Sequence, residues 1–264
     1  LYIKLPSKGR YWEEGALNLT ATGEMPVYPM STKDEVILRT PDALLNGQGM
    51  VDVIQSCCPA ITDAWKTPSI DVDAILIAIR IATYGNEMNF DSKCAHCGEE
   101  NAHDVDLATT LADINCPDYS VVNYKDLKIK LKPQHYFDTN NANKVQFEEQ
   151  RLVNLLNDTV MEPEDKAKLL TESMNKLTSL GIGSVVTSTE YIEIPGGQRI
   201  SNVDFITELY ERAESQLVKT LQDQLKVYAE EAKVKPVTLS CSSCEKPYRV
   251  ELTFDYASFF GKGF

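Results

Sequence analysis

The sequence predicts an α+β fold: a helical N-terminal half, a β module split between two distant parts of the chain, and a mainly helical insertion between those parts. Three observations predict it. Two short cysteine pairs, Cys94-Ala95-His96-Cys97 and Cys241-Ser242-Ser243-Cys244, are each flanked by residues that alternate like strands. A run from Asp71 to Tyr84 is apolar almost all round, as only a central helix can be. The 143 residues between Cys97 and Cys241 carry mostly helical patterns.

The elements follow in order. Leu1 to Tyr28 mixes Gly, Pro, Lys and aromatic residues and then alternates through Leu17 and Leu19, which reads as an extended arm with short strands. Thr32-Lys33-Asp34-Glu35 fits a capping box opening a short helix. Pro41 disfavours helix at Thr40, Gly47 and Gly49 mark a turn, and Met50 to Cys58 offers another helical turn or two. The helix from Asp71 to Tyr84 has Gly85 placed for a left-handed stop, and its Arg80 is expected to reach the rim or a carboxylate.

Strand, cysteine turn, strand follows, over Glu87 to Lys93 and His103 to Leu107. The plan recurs around the second pair, with Val237-Thr238-Leu239 leading in and Tyr248, Val250, Leu252 and Phe254 alternating after it. Between them lie a lysine-rich strand, Leu127 to Lys132, and helices at about Asn143 to Asn157 and Glu164 to Leu180, the second stopped by Gly181. A strand over Glu190 to Ile194 precedes a long polar helix, capped by Asn202 or Asp204 and reaching about Glu231, with Phe205, Leu209, Leu217, Leu221 and Leu225 as its apolar stripe. The expected parts are therefore 1–118, 119–233 and 234–264, the last packing with the first.

Composition bounds the function. The apolar fraction of 43% and charged fraction of 25% are those of an ordinary globular protein. The longest apolar stretch, Ala74 to Ala82, is interrupted by Arg80 and is far short of the roughly 20 residues of a membrane span. No charged region, apolar run and cleavage site open the sequence, so the expectation is a protein made in the cytosol. A net charge of −13 argues against a broad phosphate-binding surface.

Seven cysteines, four of them in two matched pairs, point to thiolate ligands rather than a disulfide framework. Two residues between cysteines let a tight turn aim both sulfurs at one ion, and two such turns complete a tetrahedral zinc site. Cys94, Cys97, Cys241 and Cys244 are thus the expected ligands of one structural Zn2+, in a zinc ribbon whose halves are split by a far longer insertion than the usual roughly 15 to 20 residues. Gly98 suits the first turn, whereas Glu245 in the equivalent place departs from the pattern. Cys57, Cys58 and Cys116 are expected in the core, His96 exposed, and His103 and His135 isolated.

A redox dithiol would need one pair to open a helix within a βαβ pattern, and neither does. Metalloprotease histidine spacing, a phosphate-cradling glycine loop and a nucleophile elbow are all missing from the sequence. Four thiolates leave zinc no open position, so catalysis is not expected. Lys128, Lys130 and Lys132 share one strand face that could contact nucleic acid, but a solvated face that deters strand addition is the simpler reading.

Three stretches carry a family resemblance: Leu5-Pro6-Ser7-Lys8-Gly9; Asp73 to Glu87 leading into Cys94 and Cys97; and Cys241 and Cys244 followed by Phe254 to Phe260. In these the chain resembles the baseplate hub and hub-assembly family of T-even-like contractile-tailed bacteriophages. The resemblance implies a non-enzymatic structural or assembly protein of the tail baseplate, located in the virion and in the host cytoplasm during assembly. Its implied partners are other baseplate and tail hub proteins, the tape measure protein among them, with no nucleic acid and no membrane. On that reading the arm with Tyr11 and Trp12 and the tail with Phe259 and Phe260 are the expected partner-binding residues. The alternative is a zinc-ribbon regulator binding nucleic acid through the lysine strand.

Overall fold

The computed structural model describes residues 1–40, 46–158, 162–251 and 259–260. The chain divides into two compact units, Leu1–Cys116 with Glu231–Phe264, and Pro117–Glu230.

In the first unit the arm contributes β1 (Tyr2–Ile3) and β2 (Met25–Pro26), an antiparallel pair with Ile3 opposite Met25. Helices α1 (Thr32–Leu38), α2 (Gln48–Cys57) and α3 (Ser69–Tyr84) follow. The capping box of α1 sits one residue earlier than its sequence suggests. Ser31 is the cap and Asp34 its reciprocal partner, because Asp34 is buried and also accepts from Ser56 Oγ at 3.1 Å. Strand β3 (Glu87–Lys93) pairs in register with β4 (Glu100–Asp106), which runs into the short α4 (Leu107–Ala112). After the second unit the chain returns as β9 (Val237–Ser240) and β10 (Pro247–Val250), again antiparallel. The predicted continuation through Leu252 and Phe254 lies outside the described residues.

Helix α3 is the centre of this unit, as its apolar run requires. Ile75, Leu76, Ile77, Ala78 and Ile79 are all essentially without solvent contact, and each large side chain so buried contributes roughly 1.5–3 kcal/mol. Two charges are buried with them. Asp71 accepts from the Ser7 amide (2.8 Å), the Ser7 hydroxyl (2.5 Å) and the Trp12 indole (2.8 Å), clamping the arm to the helix. Arg80 was expected at the rim or on a carboxylate. Instead it is 3% exposed, donates Nη1 to the Phe259 carbonyl, and lies 5.4 Å and 5.2 Å over the rings of Tyr84 and Phe259.

The second unit is mainly helical but contains a sheet. Its antiparallel strands β5 (Val121–Tyr124), β6 (Leu127–Leu131), β7 (Thr189–Glu193) and β8 (Arg199–Ile200) are ordered as they occur in the chain. Helices α5 (Tyr136–Asp158) and α6 (Pro163–Thr187) form a hairpin between β6 and β7. Helix α6 does not stop at Gly181. A Cβ there would come within 2.7 Å of Gln222 Nε2, the end of a flexible side chain that can move aside, and the helix continues through the glycine.

The long polar helix is two helices, α7 (Val203–Arg212) and α8 (Ser215–Ala232), divided at Ala213, whose backbone is extended. Asn202 caps α7 by accepting from the Phe205 amide at 2.9 Å. The buried stripe is Ile206, Tyr210, Leu217, Leu221 and Tyr228, so Phe205 points outward. No helix among the described residues is long and apolar enough to cross a membrane.

Candidate metal centre

Both cysteine pairs lie in the turns of two-stranded hairpins. The β3–β4 hairpin carries Cys94 and Cys97, and the β9–β10 hairpin carries Cys241 and Cys244. The turns are close copies in backbone bonding. Cys94 accepts at its carbonyl from the Gly98 amide (2.9 Å) and donates its own amide to Glu99 (2.8 Å); Cys241 accepts from Glu245 (3.0 Å) and donates to Lys246 (3.1 Å). Each first sulfur receives an amide two residues on, His96 to Cys94 and Ser243 to Cys241, both at 3.4 Å. Gly98 has φ +78° and Glu245 has φ +58°. The departure at Glu245 therefore does not alter the turn, because glutamate adopts the left-handed conformation that glycine takes in the first.

The four sulfurs converge. All lie within 4.8 Å of one another, with Cys94 to Cys244 at 3.8 Å and Cys97 to Cys241 at 3.6 Å. A tetrahedron with zinc–sulfur bonds of about 2.3 Å has edges of about 3.8 Å, so the donor set fits that ion. Cys94 and Cys241 are buried, Cys244 is half-buried and Cys97 is exposed. The amides of Cys244 and Ser243, against the opposing effect of burial, hold the Cys241 thiol down at about 6. At Cys97 the Glu99 amide acts in the same direction, but burial and the three neighbouring thiols push it up to about 12. Four thiols at this spacing cannot all ionise without a cation among them, so the cluster is consistent with a bound metal ion.

Residues around the sulfurs tie the hairpins together. Asn101, 4% exposed, accepts at Oδ1 from both the amide (2.8 Å) and the hydroxyl (2.7 Å) of Ser242, and its Nδ2 lies 3.7 Å from the Cys241 sulfur. Sequence reasoning missed it; a lone asparagine one residue into a strand gives no signal without its partner. Tyr248 Oη lies 2.7 Å from Ser92 Oγ and 2.9 Å from His103 Nε2. His103 is thus not isolated as expected. His96 is exposed, with Nε2 3.1 Å from the Pro247 carbonyl. Such outer contacts orient metal-binding side chains and set the polarity around the ion.

The T4 bacteriophage base plate protein family matches residues 4–261, nearly the whole sequence including both cysteine turns. The chain belongs to that family. No curated protein and no solved structure matches it. Family membership gives this base plate protein a structural or assembly role in the phage tail.

The remaining predicted residues of the base plate protein sit as follows. Tyr11 and Trp12 are half-buried, Trp12 on Asp71 and Tyr11 at φ +69° beneath the Arg10 guanidinium, 5.6 Å away. Phe259 and Phe260 are each 5% exposed and meet edge to face, with ring centroids 4.9 Å apart. They pack beside Arg80 and Tyr84 of their own chain. On the lysine strand, Lys128 pairs with Glu193 at 3.0 Å and Lys130 donates to the Tyr119 carbonyl. Glu193 also takes Arg199, so one carboxylate is shared by Lys128 and Arg199. Cys57 and Cys58 are core, burial pushing the first up to about 12 and the second higher, while Cys116 is only half-buried.

Proposed function

We propose that this protein is a hub component or hub-assembly factor of the contractile-tail baseplate, acting through protein interfaces on a core closed by one structural zinc ion per chain. The observation that carries the reading is the meeting of four thiols from turns 144 positions apart, within a chain that belongs to the base plate family over almost its full length. Cys94, Cys97, Cys241 and Cys244 would hold the ion. When bound, zinc supplies folding free energy and no reactive position, since all four places are taken by protein. The protein's own part is to bring two separately formed hairpins into register, which Asn101 and Tyr248 support from outside the sulfur cluster. Partner contacts fall to exposed surfaces such as the arm around Tyr11, with Trp12 anchoring that arm, while Phe259 and Phe260 hold the tail against the core.

The test is the metal content of the purified full chain, with the two cysteine pairs replaced by serine separately, alongside complementation of a phage lacking the gene. One zinc per chain, lost when either pair is replaced and accompanied by failed baseplate assembly, is the expected result. Metal retained after replacement of one pair would sink the shared clasp, and normal assembly without metal would sink its role.

A further inference from the structure

A groove of about 1100 Å³ opens in the first unit between the arm and the segment from Ile81 to Cys116. That volume, in an open groove, stands at the upper end of the roughly 300–1,000 Å³ of small-molecule pockets and is large enough for a length of polymer. Its wall is basic, in a chain whose net charge is −13. The described lining holds three cations, Lys4, Lys8 and Arg10, against one carboxylate, Glu24, in a chain of 26 basic and 39 acidic residues. Its floor is apolar, with Ile81 and Leu111 half-buried and Ile114 buried.

The cations are held in place by the clamp already described. Asp71 fixes Ser7, and the Ser7 carbonyl accepts from Arg10 Nε at 3.2 Å, so the arm presents its charges from a fixed backbone. Trp12 secures the other side of the same turn. A site that need not be ordered on binding loses less entropy when filled.

We propose that this groove binds an acidic segment of a partner protein that carries aliphatic side chains. The cations would meet its carboxylates and the floor its aliphatic groups. A net charge of −13 disfavours such a segment over much of the surface, so a local excess of cations draws it to this place. The apolar floor favours protein over nucleic acid, whose backbone offers nothing to Ile81 and Leu111. The inference rests on the base plate reading only in taking the occupant for a protein subunit; metal content tests that reading, and peptide binding tests this one.

The experiment uses the full chain and fluorescein-labelled 12-residue peptides of alternating Glu and Leu, Lys and Leu, or Glu and Ser, with an oligothymidine as a further probe, read by anisotropy. The Glu–Leu peptide is expected to bind at least tenfold tighter than the others and to weaken with salt. In the Lys4→Glu/Lys8→Glu variant its affinity should drop about tenfold. Both lysines are exposed, so circular dichroism should be unchanged; a Lys4→Gln/Lys8→Gln variant with a smaller loss separates charge from folding. No Glu–Leu binding, equal binding of the Lys–Leu peptide or oligothymidine, or affinity unmoved by the variants would overturn the proposal. So would a self-associated protein that the lysine variants dissociate, because the occupant would then be a second copy.

Discussion

The two units hold themselves together in opposite ways. In Leu1–Cys116 with Glu231–Phe264 the decisive contacts are few and distant in sequence: four sulfurs, Asp71 on the arm, and Arg80 on the Phe259 carbonyl. In Pro117–Glu230 the sheet follows chain order, and the ion pairs Lys125–Glu214 and Lys128–Glu193 have exposed lysines. Exposed pairs of that kind are worth about 0–1 kcal/mol each. Stability in the second unit is spread over many small terms, while in the first it is concentrated at points where one change removes a whole connection.

The largest expected effect follows from breaking the sulfur cluster. Cross-linking positions about 100 residues apart removes roughly 4.7 kcal/mol of unfolded-chain entropy, and structural zinc in small domains contributes about 10–16 kcal/mol to folding. Chelation, or Cys97→Ser, should therefore lower the melting of the first unit by more than 10 °C while the second keeps its transition. Calorimetry of the full chain, with and without chelator, reads both. A single transition that chelation leaves in place would remove the contrast between the units.

Next in size is the arm clamp. Asp71→Ala removes the acceptor of three hydrogen bonds and leaves the buried Ser7 hydroxyl accepting from the Gly9 amide with no acceptor for its own proton, at a cost of about 2–4 kcal/mol by urea unfolding. Asp71→Asn should cost less, and pH exposes the difference. Burial outweighs the bonds from Ser7 and Trp12 and raises the Asp71 pKa above its ordinary value. A raised acid contributes stability that is complete below about pH 3.9 and is lost as pH rises through the folded value. Wild type should thus lose ground to Asp71→Asn as pH climbs from about 4. Acid release of any metal held by the four thiols affects both proteins alike and cancels in the comparison; a gap that moved the other way would show that Asp71 is favoured ionised.

The same contrast explains what could be read from the sequence. Features set by neighbouring residues were legible: the all-round apolar α3, the two cysteine turns with their flanking strands, and the lysine strand. Those set by a distant partner were not. Asn101 bonds a serine 141 positions away, and Asp71 reads as an ordinary first-turn acid until the arm is seen folded on it. Gly181 reads as a stop in the sequence, yet the helix runs on through it to Thr187. The stripe of α7 and α8 was misplaced at Phe205 because an unbroken helix was assumed through Ala213, and an extended residue there resets the phase.

The smallest effect compares the two turns themselves. Glu245 holds φ +58° where Gly98 holds +78°, and a side chain in the left-handed region costs roughly 1–2 kcal/mol. Glu245→Gly relieves that strain but adds freedom to the unfolded chain, leaving a net gain of about 0.5–1 kcal/mol. Gly98→Ala should lose a similar amount, and for backbone reasons alone, since the nearest atom to its Cβ would be Lys93 Cε at 4.0 Å. Urea midpoints of the zinc-loaded variants measure both changes. Opposite signs at the two positions would mean that the turns are mechanically equivalent and differ only in residue. A loss in Glu245→Gly would instead give the glutamate side chain a role of its own beside the metal centre, making the second turn more than a copy of the first.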